Sequence, residues 1–173
     1  MVSVDIMIGM IGSGKSTLAK KLAEKNDAVI LSSDKIRKEL VDSGYLPNEY
    51  NFKTNQIVYG ELRKRFEDFL KVGKNVILDG VNTIKRDQYF KITEKYDCYV
   101  TGRVLLTDKE ICVQRVKDRE KRDPFIHKIE NPEKVASFNE REIRENFPKL
   151  EEGFDEIVIY KNNVVESVQR KTK

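Results

Sequence analysis

The chain has 173 residues, enough for one compact domain with a sizeable core. Its 33 Lys and Arg against 29 Asp and Glu leave an excess of four positive charges, which allows a local basic groove without identifying a nucleic-acid binder. One histidine and two separated cysteines, Cys98 and Cys112, argue against a His/Cys metal site or a Cys–His nucleophile pair and fit free thiols in a reducing compartment.

Taken in chain order, apolar runs alternate with helical patterns. Val2 to Ile8 reads as a buried strand; Asp5 inside it and the lack of a basic lead distinguish it from a signal peptide. Ser16 to Lys25 follows as a helix, Ala28 to Leu31 as a second strand, and Asp34 to Val41 as a helix ending near Gly44. Pro47 to Lys71 reads as one long helix, with Ile57, Val58, Leu62, Phe66, Phe69 and Leu70 at helical spacing and Gly73 as its terminator. Then come strand Val76–Leu78, helix Lys85–Lys95, strand Tyr99–Leu106, a helix from about Asp108, a helix from Pro132 to about Asn146 and strand Glu156–Tyr160. The basic tail from Glu166 to Lys173 is expected to fray. The alternation predicts an α/β fold, a five-stranded parallel sheet flanked by helices, in a single domain spanning 1–173. No apolar run is long enough for a membrane span, and a cytoplasmic protein with no obligate protein partner is expected.

Between the first strand and first helix, Gly9-Met10-Ile11-Gly12-Ser13-Gly14-Lys15-Ser16 matches G-x-x-x-x-G-K-[ST] in full, and the loop extends to Thr17. Glycines let successive N–H groups turn inward as an anion nest, reinforced by the helix N-terminus. Gly12, Ser13, Gly14, Lys15, Ser16 and Thr17 are therefore expected to hold the phosphates of a nucleotide such as ATP. Lys15 would reach the β- and γ-phosphates, and the Ser16 hydroxyl would ligate Mg²⁺. The loop alone does not say where the γ-phosphate goes. A GTPase would need DxxG and NKxD, and a transport ATPase LSGGQ; none occurs, which leaves a nucleotide- or metabolite-kinase type with a helical lid.

Three further blocks carry a resemblance: Ser32-Ser33-Asp34-Lys35-Ile36-Arg37, Leu78-Asp79-Gly80-Val81-Asn82-Thr83, and Cys112-Val113-Gln114-Arg115 through Arg119. With the phosphate loop and Glu152-Gly153-Phe154-Asp155-Glu156, they are similar to the polynucleotide 5′-hydroxyl kinase group of P-loop phosphotransferases, from residue 2 to about 161. The resemblance implies an adenylate-kinase-like P-loop fold with a lid at approximately 108–131, and the 5′ ends of DNA or RNA as substrate. It implies Asp34 as general base, Arg37 and Asn82 on the acceptor, Asp79 with Ser16 on Mg²⁺, and Arg119 and Arg115 beside the transferring phosphoryl group. Two departures are Lys35 where the group often has an acid and Val116 where it often has Asn.

Plainer roles compete at each position. Ser33 or Asp34 could cap a helix, Asp79-Gly80 could form a turn, and Arg115, Arg119 and Arg122 could belong to a solvated helix face with Lys117, Asp118, Glu120 and Lys121. Tyr45, Tyr50 and Phe52 could stack on a base or staple their loop to the core, the latter being the plainer reading. His127 reads as an ordinary loop residue, within a segment where seven Lys and Arg fall between Lys109 and Lys128. A small-molecule or aminoacyl-tRNA kinase, or a non-catalytic nucleotide-dependent regulator, remains an alternative.

Overall fold

The computed structural model describes residues 1–122, 129–162 and 164–172. Six strands form one sheet in the order β2-β3-β1-β4-β5-β6. In chain order the elements are β1 (Val2–Gly9), α1 (Lys15–Asn26), β2 (Ala28–Ser32), α2 (Ser33–Asp42), α3 (Phe52–Lys71) and β3 (Asn75–Asp79). They continue as α4 (Asp87–Thr93), β4 (Cys98–Leu106), α5 (Lys109–Arg122), α6 (Pro132–Glu145), β5 (Glu156–Lys161) and β6 (Val164–Arg170).

β1 is central, pairing in parallel with β3 and with β4, and its apolar residues from Val4 to Ile8 are fully buried on both faces. Strand alternation divides them. Val4, Ile6 and Ile8 pack with Ile36 of α2, Val58, Leu62, Phe66 and Leu70 of α3, and Tyr89 and Phe90 of α4. Met7 turns the other way, onto Ala19, Leu18 and Leu22 of α1, together with Ile77, Leu105 and Val158. Phe66 alone, wholly buried, contributes about 1.5–3 kcal/mol of transfer free energy. On the α1 side, buried Asp5 of β1 pairs with Arg103 of β4, which also donates to the Tyr160 hydroxyl of β5 at 3.0 Å.

Two expectations are corrected. The long helix begins at Phe52 rather than Pro47, because Asn51 caps it: its side chain accepts from the Thr54 N–H while the Thr54 hydroxyl accepts from the Asn51 N–H. The sheet also has a sixth strand. β6 lies antiparallel on β5, from Glu156 opposite Arg170 to Lys161 opposite Val164, where a fraying tail was expected after five parallel strands. Asn162 adopts a left-handed φ of 47° after β5, and Val164, Val165 and Val168 supply β-branched residues that the polar ones between them conceal in sequence.

The order of strands positions the site. β2 and β3 lie on one side of β1, and β4 and β5 on the other, so the loops leaving β1 and its neighbours diverge and open a crevice at their carboxyl ends. The phosphate loop occupies that crevice. No described helix is long and apolar enough to cross a membrane.

Candidate active site

The loop from Gly9 to Lys15 is shaped by two glycines in the left-handed region, Gly12 at φ 73° and Gly14 at φ 101°. A Cβ on Gly12 would stand 2.2 Å from the Cys112 carbonyl oxygen, so α5 packs against the loop only because Gly12 has no side chain. Gly14 occupies the N-cap of α1 without a side-chain capping bond. Among the described residues, the N–H groups of Gly12, Gly14, Lys15 and Ser16 have no hydrogen-bond partner. These orphan donors at a helix N-terminus form the cradle expected for a phosphate. Ser13 differs from expectation in detail. Its N–H donates to the Met10 carbonyl at 3.2 Å and its side chain is buried.

Lys15 is buried, and its ammonium donates to the carbonyls of Gly9 at 3.0 Å and Met10 at 2.6 Å. Burial pushes its pKa down to about 8; Asp79, Cys112 and Asp34 act against that shift, and Arg119 adds to it. A lysine held between carbonyls and short of counter-charge is poised to gain from an anion.

A cleft of about 1550 Å³ brings the remaining predicted residues together: Asp34, Arg37, Asp79, Arg115 and Arg119 line it with Gly12, Gly14, Lys15, Ser16 and Thr17. Arg122 lines it as well, so the three arginines of α5 share the face that turns to the cleft. Nine Lys and Arg against three Asp line this cleft, an excess of six positive charges where the whole chain has four. The rest of the molecule is net negative.

Asp34 does not cap its helix. The N-cap of α2 is Ser32, and the Asp34 carboxylate, in the first turn of α2, is exposed and accepts no hydrogen bond from a described residue. Arg37 is 6% exposed and already engaged. It donates to the Glu49 carbonyl at 3.2 Å and to Asn55 Oδ1, and its guanidinium lies 4.0 Å from the centroid of the Tyr50 ring. Asp79 ends β3 beside Gly80. Ser16 and Asp79 together give two hard oxygen donors on the cleft, and no cluster of three or more His, Cys, Asp or Glu exists among the described residues. That donor set fits Mg²⁺, which takes few protein ligands and completes its shell with water and phosphate oxygens.

Asn82 is not brought to the cleft. Held at φ 46°, it donates from Nδ2 to the carbonyls of Met7 at 2.9 Å and Leu78 at 3.1 Å, tying the ends of β1 and β3. His127 and Lys128 lie outside the described residues. Tyr45, Tyr50 and Phe52 are all exposed, and Leu46 beside them is buried in the core.

Three supporting residues carry no motif. Asn139 of α6, buried, accepts the Ile11 N–H at 3.2 Å, and Thr107 donates to the Ser13 carbonyl at 3.0 Å. Arg86 binds both carboxylate oxygens of Glu152 at 2.9 Å, the Asn146 carbonyl at 2.9 Å and the Thr83 carbonyl, fastening the β3–α4 loop to the chain entering β5. No signal in a single sequence pairs residues so far apart.

The sequence profile of the AAA domain family matches residues 4–142, and the chain belongs to that family. Its fold is P-loop kinase-like. It is similar over 94% of its length to the structure of a candidate kinase from Chloroflexus aurantiacus, with a TM-score of 0.73, 14% identity and 86% of that chain covered. It is also similar to a chain of the Pnkp1/Rnl/Hen1 RNA repair complex, over 84% of this chain and 45% of that one, with a TM-score of 0.67 and 20% identity. A chain of the Streptococcus pneumoniae PezAT toxin-antitoxin system aligns over 97% of this chain and 71% of its own, with a TM-score of 0.71 and 16% identity. In sequence, uncharacterized proteins of Mycobacterium tuberculosis (Rv2004c) and Mycobacterium bovis (Mb2027c) are 34% identical over 87 residues, 46% of this chain. The match spans only 18% of those proteins' length.

Proposed function

We propose that the chain is an ATP-dependent phosphotransferase whose acceptor is the 5′-hydroxyl end of a DNA or RNA strand. The observation that carries this reading is Asp34: an exposed carboxylate, unengaged by described residues, on the same cleft as the phosphate loop and near enough to Lys15 to influence its charge. A binding module needs the loop; only a transferase needs a proton acceptor facing it.

The orphan amides of Gly12, Gly14, Lys15 and Ser16 and the Lys15 ammonium hold the donor's phosphates. Ser16 and Asp79 would hold Mg²⁺, which would supply charge neutralisation to the donor's phosphates. Asp34 orients the acceptor hydroxyl and takes its proton as the oxygen forms a bond to the γ-phosphorus and the bond to the nucleoside diphosphate breaks. Arg119 and Arg115, on the face of α5 that lines the cleft, offset the charge on the equatorial oxygens. With two partners already on its guanidinium, Arg37 contributes positive charge towards an acceptor phosphate rather than a full bidentate grip. The positive excess along the cleft and the likeness to a Pnkp1 complex chain support a polyanionic acceptor.

The test is transfer of label from γ-labelled ATP, with Mg²⁺, to 5′-hydroxyl DNA and RNA oligonucleotides. Wild-type protein labels at least one of them. Asp34→Ala lowers the rate constant by about 10²- to 10⁴-fold with nucleotide affinity retained. Absence of label on every oligonucleotide overturns the acceptor, and undiminished transfer by Asp34→Ala overturns the base.

A further inference from the structure

We infer that Tyr50 and Tyr59 form an acceptor subsite for a flat aromatic ring, the nucleobase on the sugar that carries the accepting hydroxyl. The inference rests on the phosphotransferase reading above and names the part of the acceptor that the protein reads. Of the exposed aromatics between Tyr45 and Tyr59, only these two line the cleft, 46% and 40% exposed, on the arm that holds Asp34. Both rings line the same cleft as Asp34, the carboxylate that would receive the proton of the accepting hydroxyl.

Their mountings are rigid. Tyr59 projects from α3, one turn after Asn55 on the same helix face. Tyr50 sits on the loop before α3, but its ring lies against the Arg37 guanidinium, which is itself fixed by the Glu49 carbonyl and Asn55. The Thr54 hydroxyl donates to the same Glu49 carbonyl at 2.9 Å, and the Asn51–Thr54 capping box closes the loop. Arg37 is thus a positioning residue for the Tyr50 ring. Leu46, buried in the core, staples the loop beside them. Asn48, also on the cleft, offers an amide to the polar edge of a stacked ring. Aromatic side chains so placed accept any base through its π-face, giving recognition of a base without choice of sequence.

Label transfer is measured on 5′-hydroxyl oligonucleotides that carry a normal base or an abasic residue at the 5′ position, with wild type, Tyr50→Leu, Tyr59→Leu and the Phe variants of each. Removal of the base lowers wild-type kcat/KM by about tenfold or more, each Leu variant loses about as much on the base-bearing end, and the two losses overlap rather than multiply. The Phe variants keep wild-type discrimination. Equal efficiency on both ends, or Leu variants that slow both ends alike, overturns the subsite. A second measurement does not require turnover: saturation-transfer NMR of thymidine 3′-phosphate with ADP filling the donor site. Saturation of the thymine protons that disappears in the Leu variants upholds the subsite even where no oligonucleotide is phosphorylated, in which case only the acceptor reading falls. Absent saturation, or saturation that survives both Leu changes, overturns it.

Discussion

Asn139 and Ile11, 128 positions apart, are joined by one hydrogen bond, in which the Asn139 Oδ1 on α6 accepts the Ile11 N–H of the phosphate loop at 3.2 Å. Met10 packs beside it with Cys112 of α5 and Ile143 of α6, so the helical arm and the loop are one packed unit. Asn139→Ala removes the acceptor and leaves a part-buried N–H. The expected cost is about 1–3 kcal/mol of stability and a weaker nucleotide affinity, read by thermal unfolding and by nucleotide titration.

Gly12→Ala is expected to disrupt the loop for two additive reasons. Its φ of 73° disfavours any side chain, and the new methyl would meet the Cys112 carbonyl at 2.2 Å. Unfolding measurements should show a loss above about 1 kcal/mol, and nucleotide titration should show binding abolished as α5 is pushed from the loop.

Lys15 gives the protein a pH signature. Its folded pKa of about 8 lies below the unfolded value of 10.5, so between these two pH values the unfolded chain binds more protons than the folded one. Stability without nucleotide therefore gains from Lys15 as pH rises from about 8 to 10.5, and the burial penalty is fully present below pH 8. Nucleotide binding runs the opposite way, because phosphates favour the charged ammonium. Affinity should fall above about pH 8, with proton uptake on binding detected by calorimetry in buffers of different ionisation enthalpy and lost in Lys15→Met.

Arg86→Met tests the fastening of the β3–α4 loop. Arg86 is buried while Glu152 remains 30% exposed, so the expected loss is about 3 kcal/mol, the lower end for breaking a buried pair. Chemical denaturation measures it. Glu152→Gln, which keeps a neutral acceptor, should cost less.

What the sequence revealed follows from the range of the forces involved. The strand–loop–helix at Val2 to Asn26 is local: an apolar run, glycines and a helix in direct succession. Gly73, at φ 72°, ends α3 for reasons contained in one residue. The clustering of Asp34, Asp79, Arg115 and Arg119 was also legible, since each follows a strand whose carboxyl end faces the same crevice. The motif position of Asn82 says nothing of where its amide points, and in the structure the carbonyls of Met7 and Leu78 accept from it. Asn139, Thr107 and Arg86 act through partners tens of residues away, and the valines of β6 become a strand only through pairing with β5.

The concentration of cations along the cleft makes net charge a reporter of occupancy. With six excess positive charges gathered there and the remaining surface negative, an empty molecule is a base only by virtue of its open site. A nucleoside triphosphate seated on the loop offsets most of that excess, and the filled particle, without Mg²⁺, should migrate in a native gel as a near-neutral protein. Electrophoresis alone would then distinguish filled from empty molecules, with no turnover and no label.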